Sequence, residues 1–171
     1  MISVVVPIFN EEAIVAELLR RLDAALQACG EPYEIVLVND GSRDGTSGVV
    51  RSLFPLYPAV VLVELSRNFG HQLAATAGLD RARGDAVVLM DGDLQDPPEL
   101  ITELLARWRE GYDVVYAVRR TRRGESRFKL WTASLFYRMT ARLTNVSIPV
   151  DVGDFRLMSR RVVDAVQQLR E

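Results

Sequence analysis

Residues 86–98 read AVVLMDGDLQDPP, an apolar run followed at once by a turn with three carboxylates. The run Ala86–Met90 predicts a strand that is buried on both faces. Asp91 and Asp93 stand one residue apart at its end, where like charges repel each other unless a cation lies between them. Carboxylate oxygens are ligands that Mg²⁺ and Mn²⁺ take. The stretch predicts a divalent-cation site at a strand end; a plain Asp-rich turn, with Asp96 capping the next helix, is the alternative.

Strands and helices alternate around this stretch. Further strands are predicted at Ile2–Val6, Glu34–Val38, Val60–Leu65 and Asp113–Val118, with helices between them. The alternation predicts an α/β fold whose central sheet is mostly parallel, with helices on both faces. Ligands bind such sheets at the carboxyl ends of the strands. The polar loops at Asn10–Glu12, Asn39–Asp40 and Asp91–Asp93 should therefore share one edge, and Pro7 is expected to end the first strand.

Length and composition limit the function classes. A chain of 171 residues is long enough for one domain with a hydrophobic core, and its net charge of -2 argues against a general nucleic-acid binder. Cys29 is the only cysteine, which excludes an intramolecular disulfide and a thiolate metal site and fits a reducing cytoplasm.

We expect no secretory leader and no membrane span. We also expect truncation at the C-terminus, and the oligomeric state, a homo-oligomer included, is left open.

The segment Arg119–Arg142 differs from the rest of the chain, because it holds eight basic residues and one acid. Aromatic and leucine side chains recur within it at close to helical spacing. An amphipathic helix with a basic rim is typical of a membrane surface. Packing of the same apolar positions into the core is the alternative.

Five motifs, in order along nearly the whole chain, resemble the polyprenyl-phosphate glycosyltransferases of inverting family 2. They are residues 4–12, 38–46, 66–72, 91–99 and 153–157. The resemblance implies a GT-A fold in a single glycosyltransferase domain. Residues 1–118 would bind the nucleotide-sugar and the metal, and residues 119–171 would face the acceptor.

The resemblance also implies roles for individual residues. The predicted contacts of the nucleoside-diphosphate sugar are Pro7, Asn10, Glu11, Asp40, Gly41, Ser42, Asp91 and Gly92. The predicted ligands of Mg²⁺ or Mn²⁺ are Asp91, Asp93 and Gln95, and the predicted catalytic residues are Asp91, Asp93, Asp154 and Arg119. An Asx-type turn for Asp40 and a first-turn helix acid for Glu11 are the alternatives.

The acceptor decides which chemistry is needed. A phosphate monoester has a second pKa near about 6 and is mostly a dianion at neutral pH, so it needs cations to hold it more than a base. The predicted acceptor-phosphate contacts are Arg122, Arg123, Arg127, Lys129 and Arg138. Asp154 matches the family's candidate base, although we expect it to orient substrate or to pair with Arg156. His71, the single histidine, is predicted to be structural or capping.

The leading hypothesis is an inverting, metal-dependent transferase that moves a sugar to a polyprenyl phosphate at the cytoplasmic face of the membrane. A family-2 transferase with a saccharide or protein acceptor is the second hypothesis, but such an acceptor gives no reason for the basic segment. A donor-binding module without turnover is the third.

Overall fold

The computed structural model describes residues 1–118 and 152–169, with the backbone alone at residues 152 and 153. The chain divides into two units, Met1–Tyr116 with Asp154–Glu171, and Ala117–Gly153. All residues that line the candidate cavity described below lie in the first unit. No helix within the described ranges is both long enough and apolar enough to cross a membrane.

The described residues form six strands and five α-helices. The strands are β1 (Ile2–Ile8), β2 (Tyr33–Asn39), β3 (Val60–Glu64), β4 (Ala86–Leu89), β5 (Val114–Val118) and β6 (Val152–Ser159). The helices are α1 (Val15–Ala28), α2 (Thr46–Leu53), α3 (His71–Arg81), α4 (Ile101–Arg109) and α5 (Arg160–Gln168), with a 3₁₀ turn at Pro98–Leu100 before α4.

The strands form one sheet in the order β3-β2-β1-β4-β6-β5. β1 is parallel to β2 and β4, and β2 is parallel to β3, so the predicted, mostly parallel α/β sheet is confirmed. β6 is antiparallel to β4, with Leu89 opposite Arg156. This late strand lies between β4 and β5, an insertion that local sequence patterns cannot predict because the pairing is long-range.

β1 is central to the sheet and is buried along its whole length. The expectation that Pro7 ends this strand is wrong, because β1 continues to Ile8 and Pro7 pairs with Val38 of β2. β4 pairs with β1 as far as Leu89 opposite Val5. Pro7 therefore lies beyond the β4 ladder, where its missing N–H costs no ladder hydrogen bond on that side.

α3 packs closely on β1 and β2 because its inner face is made of small residues. A Cβ atom at Gly78 would stand 2.3 Å from a methyl carbon of Val5 and 2.9 Å from one of Val38. Ala74 on the same helix is fully buried. This packing fixes the first residue of α3, His71, at the carboxyl edge of the sheet.

Candidate active site

The carboxyl ends of β1, β2 and β4 surround a cavity of about 480 Å³, a size typical of small-molecule sites. β6 also reaches this edge, because it runs antiparallel to β4 and its first residues extend beyond the pair of Leu89 with Arg156, where β4 ends. The cavity is lined by Pro7, Ile8, Phe9, Glu11, Asp40, Asn68, Gly70, His71, Asp91, Gly92, Asp93 and Asp154. Five of these residues carry carboxyl groups, so the cavity concentrates negative charge.

The predicted site residues fall into three groups. Those that line the cavity are Pro7, Glu11, Asp40, Asp91, Gly92, Asp93 and Asp154. Those in the adjoining loops are Asn10, Gly41, Ser42 and Gln95. Those that lie outside the described residues are Arg119, Arg122, Arg123, Arg127, Lys129 and Arg138. The predicted acceptor-phosphate contacts and the predicted amphipathic helix within Arg119–Arg142 therefore stay predictions.

A hydrogen bond between a backbone N–H and a side chain of the acidic turn helps to hold its shape. One oxygen of Asp93, Oδ1, accepts the N–H of Gln95 at 3.0 Å. Leu94 between them has a φ of 59°, a left-handed conformation that is uncommon for a residue with a side chain. A Cβ atom at Gly92 would stand 2.9 Å from a methyl carbon of Ile8, so glycine lets the turn pack against the end of β1. The turn thereby presents Asp91 and Asp93 to one cavity.

Asp91 and Asp154 meet at the imidazole of His71. The Nε2 atom of His71 lies 3.4 Å from Oδ1 of Asp91 and 3.2 Å from Oδ2 of Asp154. The strand register explains the meeting, since Leu89 pairs with Arg156 and the residues two positions further along lie on the same face. Asp154 also forms the ion pair predicted with Arg156, at 3.4 Å between Oδ1 and a guanidinium nitrogen.

The electrostatics of the cavity oppose further negative charge. Burial raises the pKa of Asp91 above its usual range; the neighbouring His71 lowers this pKa, and the Asp154 and Asp93 charges raise it. Burial also raises the pKa of Glu11, with smaller contributions from Asp93 and Asp44. A cation bound among these carboxylates would relieve both the burial penalty and the repulsion.

Asp40 anchors the loop that leads into α3. Its carboxylate is buried and accepts the backbone N–H groups of Phe69 at 2.7 Å and Gly70 at 2.9 Å. Hydrogen bonds to a charged acceptor are stronger than those between neutral groups. Asp40 therefore holds the segment just before His71. Its contact with the nucleotide stays a prediction.

The first two polar loops are hydrogen-bonded to each other. The N–H of Asn10 donates to Oγ of Ser42 at 2.9 Å, and Oδ1 of Asn10 accepts the N–H of Arg43 at 2.9 Å. The N–H of Glu11 donates to Oγ1 of Thr46 at 2.9 Å. Asn10 has a φ of 58°, so this link holds it in the left-handed region. The contacts of Asn10 and Ser42 join the two loops that border the cavity.

Gly41 is required by its backbone. It has a φ of 65°, and a Cβ atom there would stand 2.4 Å from the carbonyl carbon of Arg67. The loop after β2 can therefore lie against the loop after β3 only if this residue has no side chain.

Five residues that line the cavity were not predicted as site residues from the sequence: Ile8, Phe9, Asn68, Gly70 and His71. The capping role predicted for His71 is wrong, because α3 begins without a side-chain cap and the imidazole lies against Asp91 and Asp154. The sequence did indicate that His71 could line the cavity. His71 follows β3, and the loop after a parallel strand lies at the carboxyl edge of the sheet. The contact of His71 with Asp154 could not be predicted in this way, because that contact depends on the position of β6.

Residues 3–167 match the glycosyl transferase family 2 domain. The chain belongs to glycosyl transferase family 2. The resemblance in its motifs is thereby confirmed, and the cavity stands at the sheet edge where the family-2 motifs converge.

Three curated relatives align over nearly the whole chain. The chain is 50% identical over 169 residues to the uncharacterized glycosyltransferase YkcC of Bacillus subtilis, covering 99% of this chain and 52% of that protein. It is 42% identical to the prophage bactoprenol glucosyl transferase homolog of Escherichia coli, covering 99% and 56%. It is 41% identical to an undecaprenyl-phosphate 4-deoxy-4-formamido-L-arabinose transferase of Pseudomonas paraeruginosa, covering 100% and 50%. The family-2 chain thus spans about half the length of these relatives.

A solved structure shares the fold. The mannosyltransferase PcManGT from Pyrobaculum calidifontis, solved with GDP-Man and Mn²⁺, superposes with a TM-score of 0.68 at 24% identity, covering 96% of this chain and 46% of that chain. The family-2 chain therefore has the GT-A fold, as its motifs implied.

Proposed function

We propose that this protein is an inverting, metal-dependent glycosyltransferase that moves a sugar from a nucleoside diphosphate to a polyprenyl phosphate at the cytoplasmic membrane face. The observation that carries the proposal is the meeting of Asp91, Asp93 and Asp154 in one cavity of a family-2 chain. Relatives named for bactoprenol and undecaprenyl phosphate support the choice of acceptor.

The donor half of the reaction rests on the acidic turn. Asp91 and Asp93 would hold Mg²⁺ or Mn²⁺, with Gln95 as a neutral oxygen ligand, and the ion would neutralise charge on the leaving nucleoside diphosphate. Burial raises the pKa of Asp91, and this supports a cation as the partner of its carboxylate. A relative in fold was solved with GDP-Man and Mn²⁺, which supports a nucleotide-sugar with a divalent ion in this role.

The acceptor half rests on phosphate chemistry. A phosphate dianion can attack the anomeric carbon without prior deprotonation, and attack opposite the diphosphate inverts that centre. The phosphate of the acceptor would be held by Arg122, Arg123, Arg127, Lys129 and Arg138. The diphosphate of the donor would be contacted by Arg119. Asp154 would orient the site rather than act as a base, since its carboxylate already contacts His71 and Arg156.

The test is a donor screen on the 171-residue chain and on versions extended as in its relatives. UDP- and GDP-sugars are incubated with Mn²⁺ or Mg²⁺ and a short polyprenyl phosphate, and lipid-linked sugar is followed by chromatography. We expect product with one donor only, and none with the dephosphorylated lipid. Transfer to a free saccharide instead would favour the second hypothesis, and nucleotide binding without any transfer by either version would favour a donor-binding module.

A further inference from the structure

We propose that His71 is a specificity-determining residue, which together with Asp91 and Asp154 binds two adjacent hydroxyl groups of the donor sugar and selects a neutral sugar over an acidic one. The inference deepens the proposed function, on which it rests for placing a nucleotide-sugar in this cavity. It names a class of sugar, which the acidic turn and the sequence motifs leave open.

The three side chains contact one another only loosely. Nε2 of His71 lies 3.4 Å from Oδ1 of Asp91 and 3.2 Å from Oδ2 of Asp154. Hydrogen bonds from nitrogen to a carboxylate are shorter, at about 2.7–2.9 Å. The side chains of His71, Asp91 and Asp154 are 42%, 34% and 45% exposed, respectively, so a ligand in the cavity can reach them. They can therefore form stronger hydrogen bonds with a ligand than they form with one another.

The hydrogen-bonding groups alternate as acceptor, donor and acceptor. A carboxylate only accepts, and the oxygens beside Nε2 require that this nitrogen carries a hydrogen and donates it. A sugar hydroxyl group both donates and accepts. One hydroxyl can donate to Asp154 and accept from His71, while its neighbour donates to Asp91. The polar atoms of the three residues lie within 4.8 Å of one another, a span that two adjacent hydroxyl groups of a pyranose ring can fill.

The charge of the cavity opposes an acidic sugar. The lining has five carboxyl groups, on Glu11, Asp40, Asp91, Asp93 and Asp154, and no lysine or arginine is found among the described lining residues. A sugar carboxylate beside Asp91 and Asp154 would be repelled by both. Hydroxyl groups, in contrast, donate hydrogen bonds to these carboxylates. The cavity therefore favours a sugar without an acid group.

The sugar contacts and the predicted ion use different atoms. His71 faces Oδ1 of Asp91, so Oδ2 of the same carboxylate can still serve the predicted Mg²⁺ or Mn²⁺. Neither Asp93 nor Gln95, the other predicted ligands of the ion, takes part in the sugar contacts. The proposal is therefore compatible with the metal role of the acidic turn.

The backbone around His71 holds the imidazole in place before a donor binds. Asp40 accepts the N–H groups of Phe69 and Gly70 immediately before it, and the close packing of Gly78 on β1 fixes the helix behind it. A group that is already in position loses little conformational entropy on binding. Such a group can distinguish sugars that differ by one hydroxyl, since the analogue without it leaves the protein group unpaired.

The test measures how His71 and single hydroxyl groups of the sugar depend on each other. Calorimetry with Mg²⁺ compares UDP, UDP-glucose, its monodeoxy analogues and UDP-glucuronate, and a parallel series uses GDP, GDP-mannose, its monodeoxy analogues and GDP-mannuronate. We expect the loss of either of two adjacent hydroxyl groups to weaken binding to the wild-type protein by at least about tenfold. The acidic sugar should also bind at least about tenfold more weakly than the neutral one.

Variants assign the effect to the imidazole. His71→Ala should bind the sugar-free nucleotide as the wild type does, which shows that it folds, and its losses for the same two deoxy analogues should fall below about twofold. Gln72→Ala, on the same exposed helix turn, is the matched control and should keep the wild-type losses. Equal losses in the wild type and in His71→Ala would overturn the proposal, as would an acidic sugar that binds as tightly as the neutral one.

The two proposals fail in different ways. A nucleotide-sugar that binds with no dependence on His71 would overturn the sugar selection and leave the transferase standing. A protein that binds neither UDP nor GDP, with or without a sugar, would overturn both.

Discussion

Asp91 and Asp154 come from strands that run in opposite directions, yet each places a carboxylate oxygen within 3.4 Å of the same imidazole nitrogen. Leu89, the last residue of β4, pairs with Arg156 of β6, so Asp91 just beyond β4 lies level with Asp154 near the start of β6. The acidic turn and the Asp154 motif therefore form one site, although they are far apart in the chain.

Asp93→Ala is predicted to remove the metal-dependent part of UDP or GDP binding. The variant loses one of two carboxylates that the turn presents, and loss of a group that supports a bound ion costs about tenfold or more in affinity. Calorimetry with and without Mn²⁺ measures the difference. Glu103→Ala, exposed on α4, is the matched control. Unchanged metal-dependent binding in the Asp93 variant would remove the claim that this turn holds the donor's ion.

Asp91→Asn is predicted to stabilise the metal-free protein at neutral pH. Burial raises the folded-state pKa of Asp91 above 3.8, so its contribution to stability is full below that pH and is lost as the pH rises through the raised pKa. Thermal unfolding in a chelator should show the variant melting higher at pH 7 and equal to wild type in acid.

Glu99→Gln is predicted to change the stability at neutral pH in the opposite direction. The hydrogen bond from Arg21 lowers the pKa of Glu99 below 4.5, so this group stabilises the fold above that pH and loses its contribution as the pH falls through the lowered pKa. The Gln variant should be slightly less stable than wild type at pH 7, since the pair is largely exposed. A higher melting temperature for both variants at pH 7 would contradict the assignment of the Asp91 effect to its charge.

Gly78→Ala and Gly48→Ala are predicted to change stability in opposite directions. Both glycines lie within helices, where alanine is favoured by about 0.5–1 kcal/mol. A Cβ atom at Gly48 meets nothing within 4 Å, whereas one at Gly78 stands 2.3 Å from Val5. Overpacking should make the Gly78 variant about 1–2 kcal/mol less stable in urea unfolding. A stabilised Gly78 variant would show that α3 does not need its close approach to the sheet.

Asp154→Asn is predicted to keep substantial transfer activity, within about a hundredfold of wild type, because a phosphate dianion needs no general base. Asp164→Asn, exposed on α5, is the control. Both kcat/KM and its pH profile are measured in the lipid-linked-sugar assay. A loss approaching about 10⁴-fold, together with loss of the acidic limb of the profile, would restore Asp154 as the base.

Much of the fold was predictable because its signals are local. The apolar runs at β1, β2 and β4 and the helical spacing in α1 indicated an alternating α/β chain, which the sheet confirms. The prediction that β1 ends at Pro7 was wrong. Pro7 is tolerated within β1 because β4 does not pair with it, and this pairing is a property of the sheet and not of the local sequence.

The sequence by itself determined the alternation of strands and helices, the family, and the carboxylates that face a shared edge. Those features follow from residue periodicity and from motifs that can be read along the chain. Only the tertiary structure decided that β6 enters the sheet between β4 and β5, that Asp40 supports the loop before α3, and that His71 joins Asp91 and Asp154. These outcomes depend on packing and pairing between distant segments, whose energies are set by neighbours that no local pattern specifies.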